Sequence, residues 1–410
     1  MAAELNQTPS ANRIHIGFYG LRNAGKSSLV NKVTNQNLAI VSDVKGTTTD
    51  PVTKAMELLP LGPVVIIDTP GLDDEGELGA LRVKKAYQAL NKTDIAVLVV
   101  DASKGMSDED YGILGQIKTK NIPYIIALNK TDLTSGETPD FREGEGIVPG
   151  DNVIRVSSLK GENIDELRNL IASKAKVDSG KRIIGDKLKK SDMVVLVCPI
   201  DESAPKGRMI LPQVQTIRDI LDEHAMCVVT QTDELPKVLE SFKNPPKIVV
   251  TDSQDFGKVK NMVPDDIMLT SFSILMANYK GILETAVKGA VSVKDLKDGD
   301  TVLISEGCTH HRQCKDIGTV KLPGWIEKFT NKKINFEFTQ GGEYPEDLSK
   351  YALIVHCGGC MLPEREMMYR LKCAEDEGVA FTNYGTLIAY MNGILGRSLQ
   401  IFPSIADKCV

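Results

Sequence analysis

The run GLRNAGKS at residues 20–27 constrains this chain more than any other feature, because it has the spacing G-x-x-x-x-G-K-[ST]. It follows an apolar stretch at 14–19 that reads as a strand, and a helix is predicted from Lys26 onward. Strand, glycine-rich turn and helix N-terminus in that order make a phosphate cradle. Glycines let backbone N–H groups curl around phosphate oxygens without a Cβ in the way, and the helix end adds partial positive charge. Such a loop belongs at the end of a parallel strand, so strand–helix alternation must continue. It does: residues 64–68, 95–100 and 124–128 read as buried strands, with helical stretches between them. A strand at 152–156 and a helix at 164–173 close the unit. Regular alternation of this kind means a parallel sheet covered on both faces.

Three further motifs each follow one of these strands. Lys26 reaches the β- and γ-phosphates, and the Ser27 hydroxyl ligates Mg²⁺. Asn23, Ala24, Gly25 and Ser28 complete the predicted phosphate contacts. Asp68-Thr69-Pro70-Gly71 places Asp68 to hold Mg²⁺ and the Gly71 amide to sense the γ-phosphate. Asn129-Lys130-Thr131-Asp132 offers a carboxylate, Asp132, that accepts two hydrogen bonds from guanine N1 and N2. Adenine presents no such pair, so GTP is selected over ATP. Ser157, Ser158 and Leu159 suit a loop backing the base. Four motifs in this order look like a translation-factor-class GTPase domain.

Composition excludes several other roles. Net charge is −6 and aromatics are 5% of residues, which argues against nonspecific nucleic-acid binding by charge or stacking. No apolar run reaches membrane-spanning length, and residues 1–13 are polar, so a cytoplasmic protein without membrane contact is expected. Eight cysteines occur, five of them between 308 and 373. Clustered Cys in a chain of this kind points to metal or redox chemistry rather than disulfides.

Beyond a Lys-rich linker at 174–191, strands are predicted at 193–197, 225–229 and 247–250 in a βαβ style that lacks a phosphate loop. A third region from 266 has predicted strands at 301–305, 334–338, 352–356 and 380–382. Predicted helices include 275–289 and 363–377. The expected fold is therefore α/β, a P-loop domain followed by two smaller parallel-sheet α/β domains. Two of the later strands run straight into metal-ligand patterns. Gly307-Cys308-Thr309-His310-His311 follows one, and His356-Cys357-Gly358-Gly359-Cys360 follows another. Open α/β sheets bind ligands at such strand ends. Cys308, Cys357 and Cys360 supply three thiolates, with His310 or His356 as candidate fourth ligand. Structural Zn²⁺ fits this set. A [4Fe–4S] cluster with a non-Cys fourth position fits it too. A redox pair at Cys357 and Cys360 is a third reading. Cys198, Cys227 and Cys373 sit in apolar contexts and read as core. Cys314 has no paired spacing, and His15 and His224 read as structural.

The Gly-Thr-Thr pattern at 46–48 resembles the Era and tRNA-modification branch of GTPases, which implies Thr48 as a Mg²⁺ ligand when the γ-phosphate is present, with Thr47 and Thr49 left open. In that branch the residue matching Asn23 ligates a potassium ion that stands in for an arginine finger. Catalytic roles then fall to Lys26, Asn23 and Thr48. Leu72, where many small GTPases carry Gln, cannot orient water, so hydrolysis is expected to be slow and potassium-stimulated.

Joined to Cys308, His310, His356, Cys357 and Cys360, these motifs resemble the HydF family of [FeFe]-hydrogenase maturation GTPases over the whole chain. The resemblance implies a GTPase domain at 1–175, a dimerisation domain at 185–265 and a cluster-binding domain at 266–410. It implies a [4Fe–4S] cluster on the three motif cysteines, and a homodimer that carries a diiron precursor to apo-[FeFe]-hydrogenase. Two radical-SAM maturases would be the other partners. The alternative is a tRNA-modification or ribosome-assembly GTPase with a structural zinc site. Against it, the chain lacks a C-terminal Cys-x-Gly-Lys, and residues 266–410 hold no excess of cationic side chains.

Overall fold

The apolar runs of the N-terminal half form a six-stranded sheet in the computed structural model, which describes residues 13–35, 51–71, 77–134, 139–175, 180–200, 209–307, 317–345 and 347–409. The strands are β1 (Ile14–Tyr19), β2 (Val52–Leu58), β3 (Gly62–Asp68), β4 (Ile95–Asp101), β5 (Tyr124–Asn129) and β6 (Val153–Arg155). Their order is β2-β3-β1-β4-β5-β6, and every pairing but one is parallel. The central strands bury both faces. Val97 and Val99 of β4 join the core with Phe18 and Leu29, whereas Leu98 and Val100 join the opposite core with Ile113. Helices α1 (Lys26–Thr34), α2 (Glu77–Leu90), α3 (Asp108–Thr119) and α4 (Ile164–Lys174) connect them. The exception is β2, which pairs antiparallel with β3 at the sheet edge. Mostly exposed, it carries no apolar signature, so the sequence gives no sign of it.

The chain divides into two compact units, Met1–Ser179 and Gly180–Val410. The second unit holds two parallel four-stranded sheets. One contains β7 (Met193–Val197), β8 (Met226–Thr230), β9 (Ile248–Thr251) and β10 (Met268–Ser271) in the order β10-β9-β7-β8. The other contains β11 (Thr301–Glu306), β12 (Asn335–Gln340), β13 (Tyr351–His356) and β14 (Ala380–Asn383) in the order β12-β11-β13-β14. Its helices are α5 (Leu211–Asp222), α6 (Leu235–Ser241), α7 (Phe256–Val259), α8 (Phe272–Tyr279), α9 (Leu283–Val291), α10 (Leu322–Thr330), α11 (Glu364–Asp376) and α12 (Tyr384–Met391), with two short ones near the C-terminus. A single hydrophobic core runs through both sheets.

Two features differ from the sequence reading. Strand β10 belongs to the first of these sheets although it lies past residue 265. The helix predicted over 275–289 is two helices, α8 and α9, separated at Gly281, whose φ of 76° is a left-handed conformation that ends a helix. No described helix is long and apolar enough to cross a membrane.

Candidate functional site

In the N-terminal unit the turn after β1 is shaped by glycine. Gly20 has φ 140°, and a Cβ there would lie 2.2 Å from the Val99 carbonyl oxygen. Gly25 has φ 88° and caps α1, and its Cβ would lie 2.3 Å from Asn129 Nδ2. Neither position admits a side chain. Lys26 is buried and its Nζ donates to the Gly20 carbonyl at 3.1 Å, so the ammonium curls over the loop it serves. Ser27 Oγ donates to Asp68 Oδ2 at 2.9 Å. Asp68 Oδ1 is buried and has no hydrogen-bond partner among the described residues. Burial pushes the Asp68 carboxyl above its usual range, and Lys26 and Ser27 pull against it. A hydroxyl touching a carboxylate whose second oxygen is buried and unpaired fits a divalent cation.

The base-binding side is drawn together by Asn129. Its Nδ2 donates to the Ala24 carbonyl at 3.0 Å and its Oδ1 accepts from the Ser158 N–H at 2.9 Å, tying the phosphate loop to the loop after β6. Ser157 Oγ donates to Asp132 Oδ1 at 2.5 Å, which steers the carboxylate. Leu159 is exposed beside it. Lys130 Nζ pairs with Asp101 Oδ2 at 2.7 Å. Burial pushes Asp101 up, but hydrogen bonds from Lys130 and Ser103 outweigh it and hold the carboxyl below the usual range. Asp101 was not predicted as a site residue, though its place at the end of β4 marks it. Thr48 and Leu72 lie outside the described residues.

In the C-terminal unit β11 and β13 are neighbours, with Ser305 opposite His356, so Gly307 and Cys357 leave the sheet side by side. Cys308, His310 and Cys314 lie outside the described residues, but Gly307, next to Cys308, donates its N–H to Cys357 Sγ at 3.1 Å. The Gly359 N–H donates to the same sulfur at 3.4 Å. Gly359 has φ 63°, and a Cβ there would meet Met367 Sδ at 2.6 Å. Burial pushes the Cys357 thiol up while these two N–H groups pull it down. Burial and then Cys357 itself push Cys360 up to about 11, against Lys280. Two cysteines in a glycine turn, one already held by two N–H donors, fit a thiolate-bound metal centre. Among the described residues alone, no three ligand side chains come together.

His356 is the one candidate fourth ligand within the described residues. Its ring is fully buried, with Nδ1 2.9 Å from the Cys357 carbonyl and Nε2 3.0 Å from Arg370 Nη1. A guanidinium only donates, so Nε2 accepts and Nδ1 carries the proton. Burial and Arg370 lower its pKa to about 3. Both ring nitrogens are thus engaged within the protein. Arg370 is itself fully buried, bonded also to Glu366 at 3.0 Å, Ser305 at 3.2 Å and the Gly341 carbonyl at 2.6 Å. Sequence reasoning missed Arg370 and Lys280. Mid-helix or helix-end cations read as solvated, and only their burial marks them.

Family models match three stretches of the chain. The 50S ribosome-binding GTPase model covers residues 15–130, the hydrogen maturase F dimerization domain 183–281, and the hydrogen maturase F tetramerization domain 284–401. The tRNA modification GTPase MnmE of Clostridioides difficile (strain 630) is 35% identical over 157 residues, 38% of this chain and 33% of that protein. GTPase Der of Wolinella succinogenes is 35% identical over 178 residues, 41% and 37% respectively. The chain therefore spans about a third of the length of these relatives. Among solved structures, Era in complex with MgGDPNP and a 16S ribosomal RNA segment shares 20% identity, with a TM-score of 0.35 over 54% of this chain and 93% of that one. The G domain of the T. maritima FeoB iron transporter shares 22%, with a TM-score of 0.29 over 40% and 99%.

Proposed function

Because this chain belongs to the hydrogen maturase F (HydF) family, we propose that it is a GTP-hydrolysing scaffold that holds a [4Fe–4S] cluster and delivers a diiron precursor to apo-[FeFe]-hydrogenase. Cys308, Cys357 and Cys360 would hold the cluster, with the fourth position left to His310 or another group. Such a centre supplies a coordination site that exchanges more readily than a thiolate, which suits a carrier. The observation that carries this reading is the Cys357 sulfur. It sits at the C-terminal end of a central parallel strand and accepts N–H bonds from its own turn and from Gly307, the neighbour of Cys308.

In the GTPase unit, Lys26, Ser27 and the N–H groups of residues 23–28 would bind the phosphates, with Ser27, Asp68 and Thr48 on Mg²⁺. Asn129, Asp132 and Ser157 to Leu159 would frame guanine. Asn23 would hold a potassium ion, and with Leu72 in place of Gln the turnover would be slow. Precursor synthesis would lie with two radical-SAM maturases in the cytoplasm, and the chain would act as a homodimer. The rival reading, a tRNA-modification or ribosome-assembly GTPase with zinc, draws its support from the GTPase region alone, whereas residues 183–281 and 284–401 match hydrogen maturase F.

Anaerobic purification followed by metal analysis, reconstitution with iron and sulfide, and EPR tests the proposal. A cubane signal with about four irons per chain is expected. Stoichiometric zinc that resists replacement by iron overturns it.

A further inference from the structure

Cys357 is held at both ends of its backbone. Its N–H donates to the Ser305 carbonyl at 2.9 Å, and its carbonyl oxygen lies 2.9 Å from His356 Nδ1. The side chains of those same two residues meet on one atom. Arg370 Nη1 donates to Ser305 Oγ at 3.2 Å and to His356 Nε2 at 3.0 Å. A terminal guanidinium nitrogen carries two hydrogens, so both serve the groups that hold Cys357. We propose that Arg370 is a positioning residue for the Cys357 sulfur, acting through Ser305 and His356 to fix how the cysteine turn leaves the sheet.

The rest of the guanidinium is fixed just as closely. Nε donates to Glu366 Oε1, one turn earlier on α11, at 3.0 Å, and Nη2 donates to the Gly341 carbonyl at 2.6 Å. The group also lies over the Tyr344 ring, 5.0 Å from its centroid. Ser305, His356 and Gly341 stand at or just past the C-terminal ends of β11, β13 and β12, which are neighbours in their sheet. One planar group thus ties three parallel strand ends together. A fork of N–H donors can do this, and the point charge of a lysine cannot. Replacing a buried ion pair by apolar residues of like volume is often neutral or stabilising, so stability alone does not account for the buried Arg370 and Glu366. The geometry they impose on Cys357 does. It also keeps the imidazole as a prop. With Nε2 accepting from Arg370 and Nδ1 donating to the Cys357 carbonyl, neither ring nitrogen is offered to a metal.

This inference rests on the iron–sulfur reading above, and the test separates the two. Its first readout needs no metal. In the metal-free full chain with labelled histidine, solid-state ¹⁵N spectra report the tautomer of each ring, and the His356 signal is the one lost in His356→Gln. The wild-type ring should carry its proton on Nδ1, and Arg370→Met should lose that single tautomer. A wild-type ring protonated at Nε2 overturns the role of Arg370, whatever the metal. The second readout uses the chain reconstituted anaerobically with iron and sulfide, with circular dichroism as the control for folding. Arg370→Met should shift the EPR signal and release iron to a chelator on the order of ten-fold faster, as for other groups that support metal ligands. Arg370→Lys, which keeps the charge and not the fork, should behave as Arg370→Met does. Should Arg370→Met fail to fold, the same change combined with Glu366→Gln, which leaves no stranded carboxylate, decides the question. A wild-type EPR signal and release rate in a folded variant, or full recovery by Arg370→Lys, overturn the positioning role. A wild type that takes up no iron–sulfur centre overturns the underlying reading, while the tautomer still decides for or against the hold of Arg370 on Cys357.

Discussion

Arg370 Nη1 donates to His356 Nε2 at 3.0 Å, and both side chains are fully buried. The imidazole is thereby fixed in one tautomer beneath the cysteine turn, which gives His356 a structural task independent of any metal. Removing it strands a buried donor of a charged group. A hydrogen bond to a charged partner is worth about 1.5–3 kcal/mol, and the cavity adds to the loss. His356→Ala should therefore destabilise the metal-free protein by at least that much. Urea unfolding followed by the single tryptophan, Trp325 on α10, reports on the right unit. Unchanged stability would release His356 for a ligand role.

Nucleotide choice tests the other unit. Asp132 is steered by Ser157, and on the proposed reading its carboxylate accepts from guanine N1 and N2. Asp132→Asn should weaken GTP binding about ten-fold or more, since about 1.5–3 kcal/mol is lost and 1.4 kcal/mol is ten-fold. It should also favour xanthosine triphosphate, whose C2 carbonyl matches an amide donor. Equal affinity of mutant and wild type for GTP would remove Asp132 from the base site.

Most of this was legible in the sequence for a physical reason. Phosphate and base motifs are local in sequence, because a turn between a strand and a helix supplies all their atoms, and buried parallel strands are continuous apolar runs. Strand β2 escaped because an exposed edge strand needs no apolar pattern. Asp101, Lys280 and Arg370 escaped because their significance lies in partners 29, 82 and 14 residues away, brought near only by the fold.

Asn23 separates a cation ligand from a turn residue. It is exposed and has φ 62°, a left-handed conformation that Asn tolerates and Ala does not. Asn23→Gly keeps the backbone while deleting the amide. GTP hydrolysis by the wild type should be faster in K⁺ than in Na⁺, and Asn23→Gly should lose the difference while still binding nucleotide. Equal wild-type rates in the two salts would leave Asn23 as a turn residue only.

Strand β8 is the edge of its sheet, yet Met226 and Val229 on it are 46% and 44% exposed. On α5, Val214 and Leu221 are likewise exposed and seven residues apart, hence on one helix face. An apolar edge of this kind invites pairing with a second copy. Val229→Glu combined with Leu221→Glu should halve the mass measured by light scattering at micromolar concentration. A dimer that survives both changes would use another surface.

Loss of the proposed cluster should leave GTP turnover intact. The phosphate loop lies in the unit Met1–Ser179 and the cysteine turn in Gly180–Val410. Cys357→Ser removes the sulfur that two N–H groups already hold, and a neutral hydroxyl cannot replace a thiolate on iron. Cys360→Ser and Cys308→Ser remove the other two anchors. Each should abolish iron–sulfur content after reconstitution, and with it hydrogenase activation, while GTP turnover stays within about two-fold of wild type. His310→Ala should keep a cluster with an altered EPR signature, because a fourth ligand tunes the centre without anchoring it. Full cluster content in any one of the serine variants would mean that a different sulfur is used, with Cys314 the first to examine.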